Sequence, residues 1–185
     1  KYAYNDGDGS TYYDVDFPLQ LGGFDPNFHD ESETVQPLSF ALLKDTYPMI
    51  NGRGYPDTIN PDPIPNSFNG NLSQKESSLI VATKGEKILL RLSSLSTTDF
   101  YTVTVLGIPM KLIAKDARQL KGPDGKDFSK MTASVTLGGG ETRDVLLDTF
   151  EVQPGTYFLY ATNLNFLSNN TEDYGGMMTE IIINP

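Results

Sequence analysis

The chain has 185 residues, a formal net charge of −10 and a hydrophobic content of 38%, the size of one sandwich domain with generous loops and a real core. The acidic balance argues against nucleic-acid binding through phosphate contacts, and no apolar run reaches the ~18 residues of a membrane-spanning helix. With no Cys, disulfides, Cys-type zinc sites and thiolate-bound copper are excluded from this segment.

The first residues, Tyr4-Asn5-Asp6-Gly7-Asp8-Gly9-Ser10, have the oxygen-rich, glycine-bent look of a calcium loop but lack the acidic residue that closes one. Residues 1–12 are therefore expected to form a linker or N-terminal extension, with one domain over 13–185. Residues 13–21 alternate apolar and polar, which predicts a half-buried strand, and Gly22-Gly23-Phe24-Asp25-Pro26-Asn27 is turn chemistry. His29 is the only His and stands beside Asp30 and Glu31. Without a second imidazole it reads as a solvated loop residue rather than a ligand.

Residues 38–43, Leu-Ser-Phe-Ala-Leu-Leu, fit a short strand or a helical turn equally well. Asn51-Gly52 accepts positive φ and predicts a tight turn. Residues 60–78 are rich in Pro, Asn and Ser, with Pro61, Pro63 and Pro65 holding the chain extended, so they form a long loop outside the core. Asn71-Leu72-Ser73 and Asn169-Asn170-Thr171 match the short glycosylation pattern.

Beyond this loop strands follow closely: residues 79–83, 87–92, 100–105, 110–114, 133–137 and 144–147, each bounded by Gly, Pro or Asp. Ile88, Leu90 and Leu92 share one face of the second. Lys84-Gly85-Glu86 is a turn, and Gly138-Gly139-Gly140 precedes a strand, so it reads as a hairpin turn and not a phosphate cradle. Residues 155–160 and 178–183 are closing strands with a loop between them. Strands at this spacing with little helical periodicity predict an all-β sandwich with Greek-key connections. No nucleophile elbow is present, and no carboxylate pair stands out among the 24 acidic residues.

Several of these segments resemble the cupredoxin domains of multicopper oxidases. Residues 13–27 resemble the strand and Gly/Asp-rich turn that open the family's middle domains, and Ile50-Asn51-Gly52 with Tyr55-Pro56 resembles a turn that follows. Residues 100–116 are similar to the family strand reading His-x-x-His-x-His-Gly, whose imidazole positions fall here on Tyr101, Thr104 and Leu106. The continuation, residues 120–123 and then 134–147, resembles its Leu-x-x-Gly-Glu-Arg-x-Asp-Val segment. Gly155-Thr156-Tyr157 is similar to the strand leading into a His-Cys-His triplet, which falls on Tyr160, Ala161 and Thr162. Gly176-Met177 matches the segment carrying the axial Met of the family's mononuclear copper site.

The resemblance implies a cupredoxin-like, copper-free domain from inside a longer, extracytoplasmic multicopper oxidase, an expectation to which the start at Lys1 and the end at Pro185 also lead. It would space and orient flanking cupredoxin domains of the same chain, which would hold the copper. No catalytic, cofactor-binding or metal-ligating residue is expected here, because a blue-copper centre needs a thiolate and two imidazoles. Met177 and Met178, the ligand-type residues left near that site, are expected to fill the core, and Tyr101 and Tyr160 to occupy the former metal volume. The alternative is an extracellular adhesion or binding sandwich, calcium-stabilised through Asp6 and Asp8.

Overall fold

A computed structural model describes residues 1–5, 7–34 and 37–185. The strands, numbered in chain order, gather into two facing sheets. One sheet runs β10 (Lys130–Thr132), β8 (Met110–Lys115), β12 (Thr142–Asp148), β6 (Lys87–Ser94), β1 (Val15–Gly22) and β2 (Met49–Ile50), with β9 (Arg118–Gln119) also beside β8. The other runs β11 (Val135–Leu137), β7 (Tyr101–Val105), β13 (Gly155–Ala161), β14 (Met178–Asn184) and β5 (Ile80–Thr83). β1 is parallel to β6 and β14 parallel to β5, while the central pairs β6–β12 and β13–β14 are antiparallel. The chain is the all-β sandwich its patterning predicts.

The core lies between the sheets, where Ile88, Leu90 and Leu92 of β6 meet Val103, Leu159 and Ile181 from the opposite side in one cluster. Burying such a side chain stabilises by about 1.5–3 kcal/mol. The outer face of the larger sheet is also covered, because Tyr13, Leu89, Ile113 and Leu146 form a second cluster with Ala3 and Tyr4 packed on it. The first residues are fastened there. The Ala3 N–H donates to the Thr11 carbonyl at 2.9 Å, and the Tyr4 hydroxyl donates to Asp144 Oδ2 at 2.7 Å. Asp144 sits at a register shift between β12 and β8, where Arg91 approaches it at 3.4 Å.

Both expected glycine turns form, the Glu86 N–H donating to the Thr83 carbonyl at 3.0 Å and the Glu141 N–H to the Gly138 carbonyl at 3.1 Å, but each carries the chain from one sheet to the other, which corrects the hairpin expected at 138–140. β5 and β6 lie in different sheets, as do β11 and β12, so neither Lys84-Gly85-Glu86 nor Gly138-Gly139-Gly140 closes a hairpin. Leu137 on β11 and Val145 on β12 are both buried in the central core. They reach it from opposite sheets, so the chain must pass over the rim.

The segment after β1 also departs from expectation. Helix α1 (Pro26–Thr34) stands where the sequence reads as turn and loop, so His29 is helical and solvent-exposed, 3.4 Å from Asp30. Asp25 caps it, with Oδ1 accepting the Phe28 N–H at 3.1 Å and Oδ2 the Lys44 N–H at 2.8 Å. Pro26 takes the first helical position, where no amide hydrogen is needed. Of the two readings of residues 38–43, the helical turn forms, as a 3₁₀ turn at Phe40–Leu42.

Asn51 and Gly52 adopt φ of 52° and 77°, forming the tight turn their chemistry predicts. The Ile50 and Arg53 main chains exchange hydrogen bonds of 2.9 and 3.0 Å across it. Beyond it come a 3₁₀ turn (Asp57–Ile59) and, within the Pro-rich stretch, a small hairpin of β3 (Ile64–Pro65) and β4 (Leu72–Ser73), separate from both sheets. Arg53 holds this excursion in place. Its side chain is fully buried, and its guanidinium donates to the carbonyls of Asp57, Asn60, Asp62 and Gln74.

Candidate functional site

The positions that the sequence marks for metal chemistry lie on β7, β13 and the loop leading into β14. The pleat of β7 sends Tyr101, Val103 and Val105 into the core and leaves Thr102 and Thr104 on the outer face. The Thr104 hydroxyl donates to the Ala133 carbonyl at 2.7 Å. Leu106 follows the strand and is 60% exposed. On β13, Leu159 and Ala161 are buried while Tyr160 is half-buried on the other face. Tyr160 stands opposite Thr104 on one side and Met178 on the other.

The six positions therefore do not converge. Tyr101 and Ala161 lie inside, Thr104 and Tyr160 outside, and Leu106 and Thr162 at strand ends. Tyr101 and Tyr160 cannot fill one former metal volume, because the pairing of Tyr160 with Thr104 places them on opposite faces of the sheet. The inner volume is taken by Tyr101, whose ring meets Phe166 edge-on at 5.1 Å, and by the fully buried Met177. Met177 is a core filler, as expected, but Met178 is half-buried on the outer face beside Tyr160.

The loop between β13 and β14 fixes this packing. A 3₁₀ turn at Leu164–Leu167 is capped by Asn163, which accepts the Asn165 N–H at 3.1 Å. The chain then returns so closely that a Cβ on Gly176, at φ +70°, would collide with the Phe166 carbonyl. That carbonyl accepts the Met177 N–H at 2.7 Å, and the Met177 carbonyl accepts the Ala161 N–H at 3.0 Å.

A polar corner adjoins Tyr101. Its phenol is buried and finds no hydrogen-bond partner among the described residues. Burial pushes this phenol up to about 12, with the nearby Ser96 hydroxyl pulling the other way and Asp45 and Asp99 adding to the rise. A Cβ on Gly23 would lie 2.5 Å from both the Tyr101 hydroxyl and Asp45 Oδ2, so only glycine admits this approach. Burial, with the charges of Asp99 and Asp25, raises the pKa of Asp45, against a weak contact from Thr98.

This architecture can be compared with known proteins. A family model described as multicopper oxidase matches residues 28–183. This chain belongs to the multicopper oxidase family. Among solved structures, blue copper oxidase from Nitrosomonas europaea is 20% identical, with a TM-score of 0.66, over 91% of this chain and 43% of its own. A copper-containing nitrite reductase from Thermus scotoductus is 12% identical, with a TM-score of 0.62, over 100% of this chain and 34% of its own. The metallo-oxidase from Campylobacter jejuni is 13% identical, with a TM-score of 0.58, over 95% and 31%. These likenesses show the cupredoxin-like fold, and the chain spans less than half the length of each. No curated protein matches at the level of sequence.

The residues of this multicopper oxidase domain do not fit a copper centre. The marked positions offer phenols, hydroxyls and apolar groups pointing in different directions, and among the described residues no group of three or more His, Asp or Glu is placed to hold a metal ion. Part of the first loop, on which the calcium alternative rests, is described. Asp8 accepts the Ser10 N–H and pairs with Lys121 at 2.6 Å, which holds its carboxyl well below the usual range, while Asp6 lies outside the described residues. Neither Arg53 nor Asp45 belongs to a motif in the sequence. An Arg directly after Asn-Gly and ahead of a long carbonyl-rich loop is a usable signal for the first, whereas nothing local marks the second.

Proposed function

We propose that this chain serves as a copper-free cupredoxin domain within a longer, extracytoplasmic multicopper oxidase. In this role it spaces and orients flanking cupredoxin domains of the same chain, and oxidation of substrate coupled to oxygen reduction takes place in those neighbours. One observation carries the reading. Tyr101, Thr104, Leu106, Tyr160, Ala161 and Thr162 stand where a copper cupredoxin would place imidazoles and a thiolate, and here Tyr101 and Ala161 pack in the core, the Thr104 hydroxyl donates to a backbone carbonyl and Leu106 is exposed. A thioether alone is too weak to hold the ion, and Met177 is enclosed in the core. The domain keeps the sandwich without the ligand side chains.

The test is elemental analysis of the chain after loading with copper(I) and copper(II) and desalting, alongside an absorption scan for the copper–thiolate band. Substoichiometric copper and no intense visible band are expected. One tightly held copper per chain would refute the reading. A null result with copper but a calcium-dependent rise in melting temperature would transfer the assignment to a calcium-stabilised binding module.

A further inference from the structure

The loop after β13 and the segment leaving β2 enclose a cleft of about 670 Å³, within the size range of small-ligand pockets. Its lining includes three tyrosines, Tyr47, Tyr55 and Tyr174, and three carboxylates, Asp57, Glu172 and Asp173, with no Lys, Arg or His. None of these carboxylates forms an ion pair among the described residues. Arg53 is fully buried with its donors turned onto backbone carbonyls, so its N–H groups do not enter the cleft and its single charge offsets only part of the three carboxylates.

The walls are tied together by the main chain. The Asn170 N–H donates to the Thr46 carbonyl at 2.8 Å, and the Tyr55 N–H donates to the Gly176 carbonyl at 2.9 Å. Asn169 Oδ1 accepts the Gly176 N–H at 3.1 Å, and the Tyr55 hydroxyl donates to Glu180 at 3.0 Å. The backbone of the cleft walls and the Tyr55 ring are therefore held without a ligand, which lowers part of the ordering cost of binding.

We propose that this cleft binds a small organic cation, of the alkylammonium or quaternary ammonium class. Aromatic faces attract a cation through their quadrupoles, and a diffuse ammonium loses little hydration on entering such a site. Unpaired carboxylates at the rim add attraction and steer the ligand inward. A neutral sugar would use the rings and the amides of Gln74 and Asn169 but would gain nothing from the net negative charge of the lining. The proposal is independent of the copper-free assignment, since no marked ligand position lines the cleft.

The test is NMR titration of this chain at low ionic strength, following tyrosine ring resonances, with choline and with its neutral isostere 3,3-dimethylbutan-1-ol. Saturable shifts with choline are expected, with the isostere binding at least about tenfold more weakly and added salt weakening choline. Tyr174→Ala should weaken choline about two- to fivefold, and Glu172→Gln with Asp173→Asn should weaken it further. These three side chains are exposed, so melting temperatures should not move and a loss would report the cleft. Equal affinity for the isostere, saturation by a hexose instead, displacement of choline by equimolar calcium, or indifference to these substitutions would each overturn the proposal.

Discussion

Replacing Arg53 by Ala should weaken the whole domain and release one segment in particular. The guanidinium is fully buried and donates to four carbonyls, those of Asp57, Asn60, Asp62 and Gln74. Hydrogen bonds from a charged donor contribute about 1.5–3 kcal/mol each, so the four together are worth about 6–12 kcal/mol. Four bonds on one group are not additive, however, and the freed carbonyls regain water once the side chain is gone. That leaves a net loss of about 2–5 kcal/mol for Arg53→Ala. With a urea m-value of about 2 kcal/mol/M, that is a fall of about 1–2.5 M in the midpoint. Hydrogen exchange should show residues 57–74 losing protection, while β13 and β14 stay protected up to global unfolding. Arg53→Lys keeps the charge but brings three donors without the planar fork, so it should recover part of the loss only. A midpoint within about 0.3 M of the original, with unchanged exchange in the loop, would show that Arg53 does not hold this excursion.

The corner around Tyr101 gives two further tests. Tyr101→Phe removes a buried hydroxyl without a partner and should be neutral or stabilising by up to about 1 kcal/mol in urea denaturation; a loss larger than that would mean that the hydroxyl has a partner in solution. Asp45 has its folded pKa raised by burial, Asp99 and Asp25, so the folded state binds its proton more readily than the unfolded chain. Its ionisation costs stability as pH rises through the folded pKa and costs none below the unfolded value. Asp45→Asn should therefore raise the melting temperature at pH 7, with the gain disappearing as the pH drops below the ordinary Asp range; a gain that persists there would not be electrostatic.

Strands were legible because each carries its own pattern. Residues 13–21 alternate regularly, and in 87–92 Ile88, Leu90 and Leu92 lie on the inner face that their spacing assigns, although Leu89 is also buried, on the other face. What the pattern lacks is the partner of each strand. A glycine turn between two strands looks the same whether it closes a hairpin or carries the chain over the rim, so the crossings at 84–86 and 138–140 depended on which apolar faces meet in the core. Helix α1 was legible and passed over. Asp25-Pro26 is a cap followed by proline at the first helical position, but the residues after it bury no side chain, so no apolar stripe announced a helix.

The marked positions show why a site is harder to read than a fold. Spacing along a strand gives distance and parity, and parity alone already separates Tyr101 from Thr104, since residues three apart on a strand face opposite ways. Whether such positions meet depends on the register with β13, and Tyr160 falls opposite Thr104 rather than beside Tyr101. Imidazoles are long enough to reach a shared ion from positions around a strand end, and a metal draws them together. Tyrosine, threonine and leucine have no such common centre, so each follows its own environment: Tyr101 into the core against Phe166, Thr104 to the Ala133 carbonyl, Leu106 into solvent. The sandwich survives this exchange because its strands are held by Ile, Leu and Val between the sheets, and that patterning is independent of the chemistry at the rim.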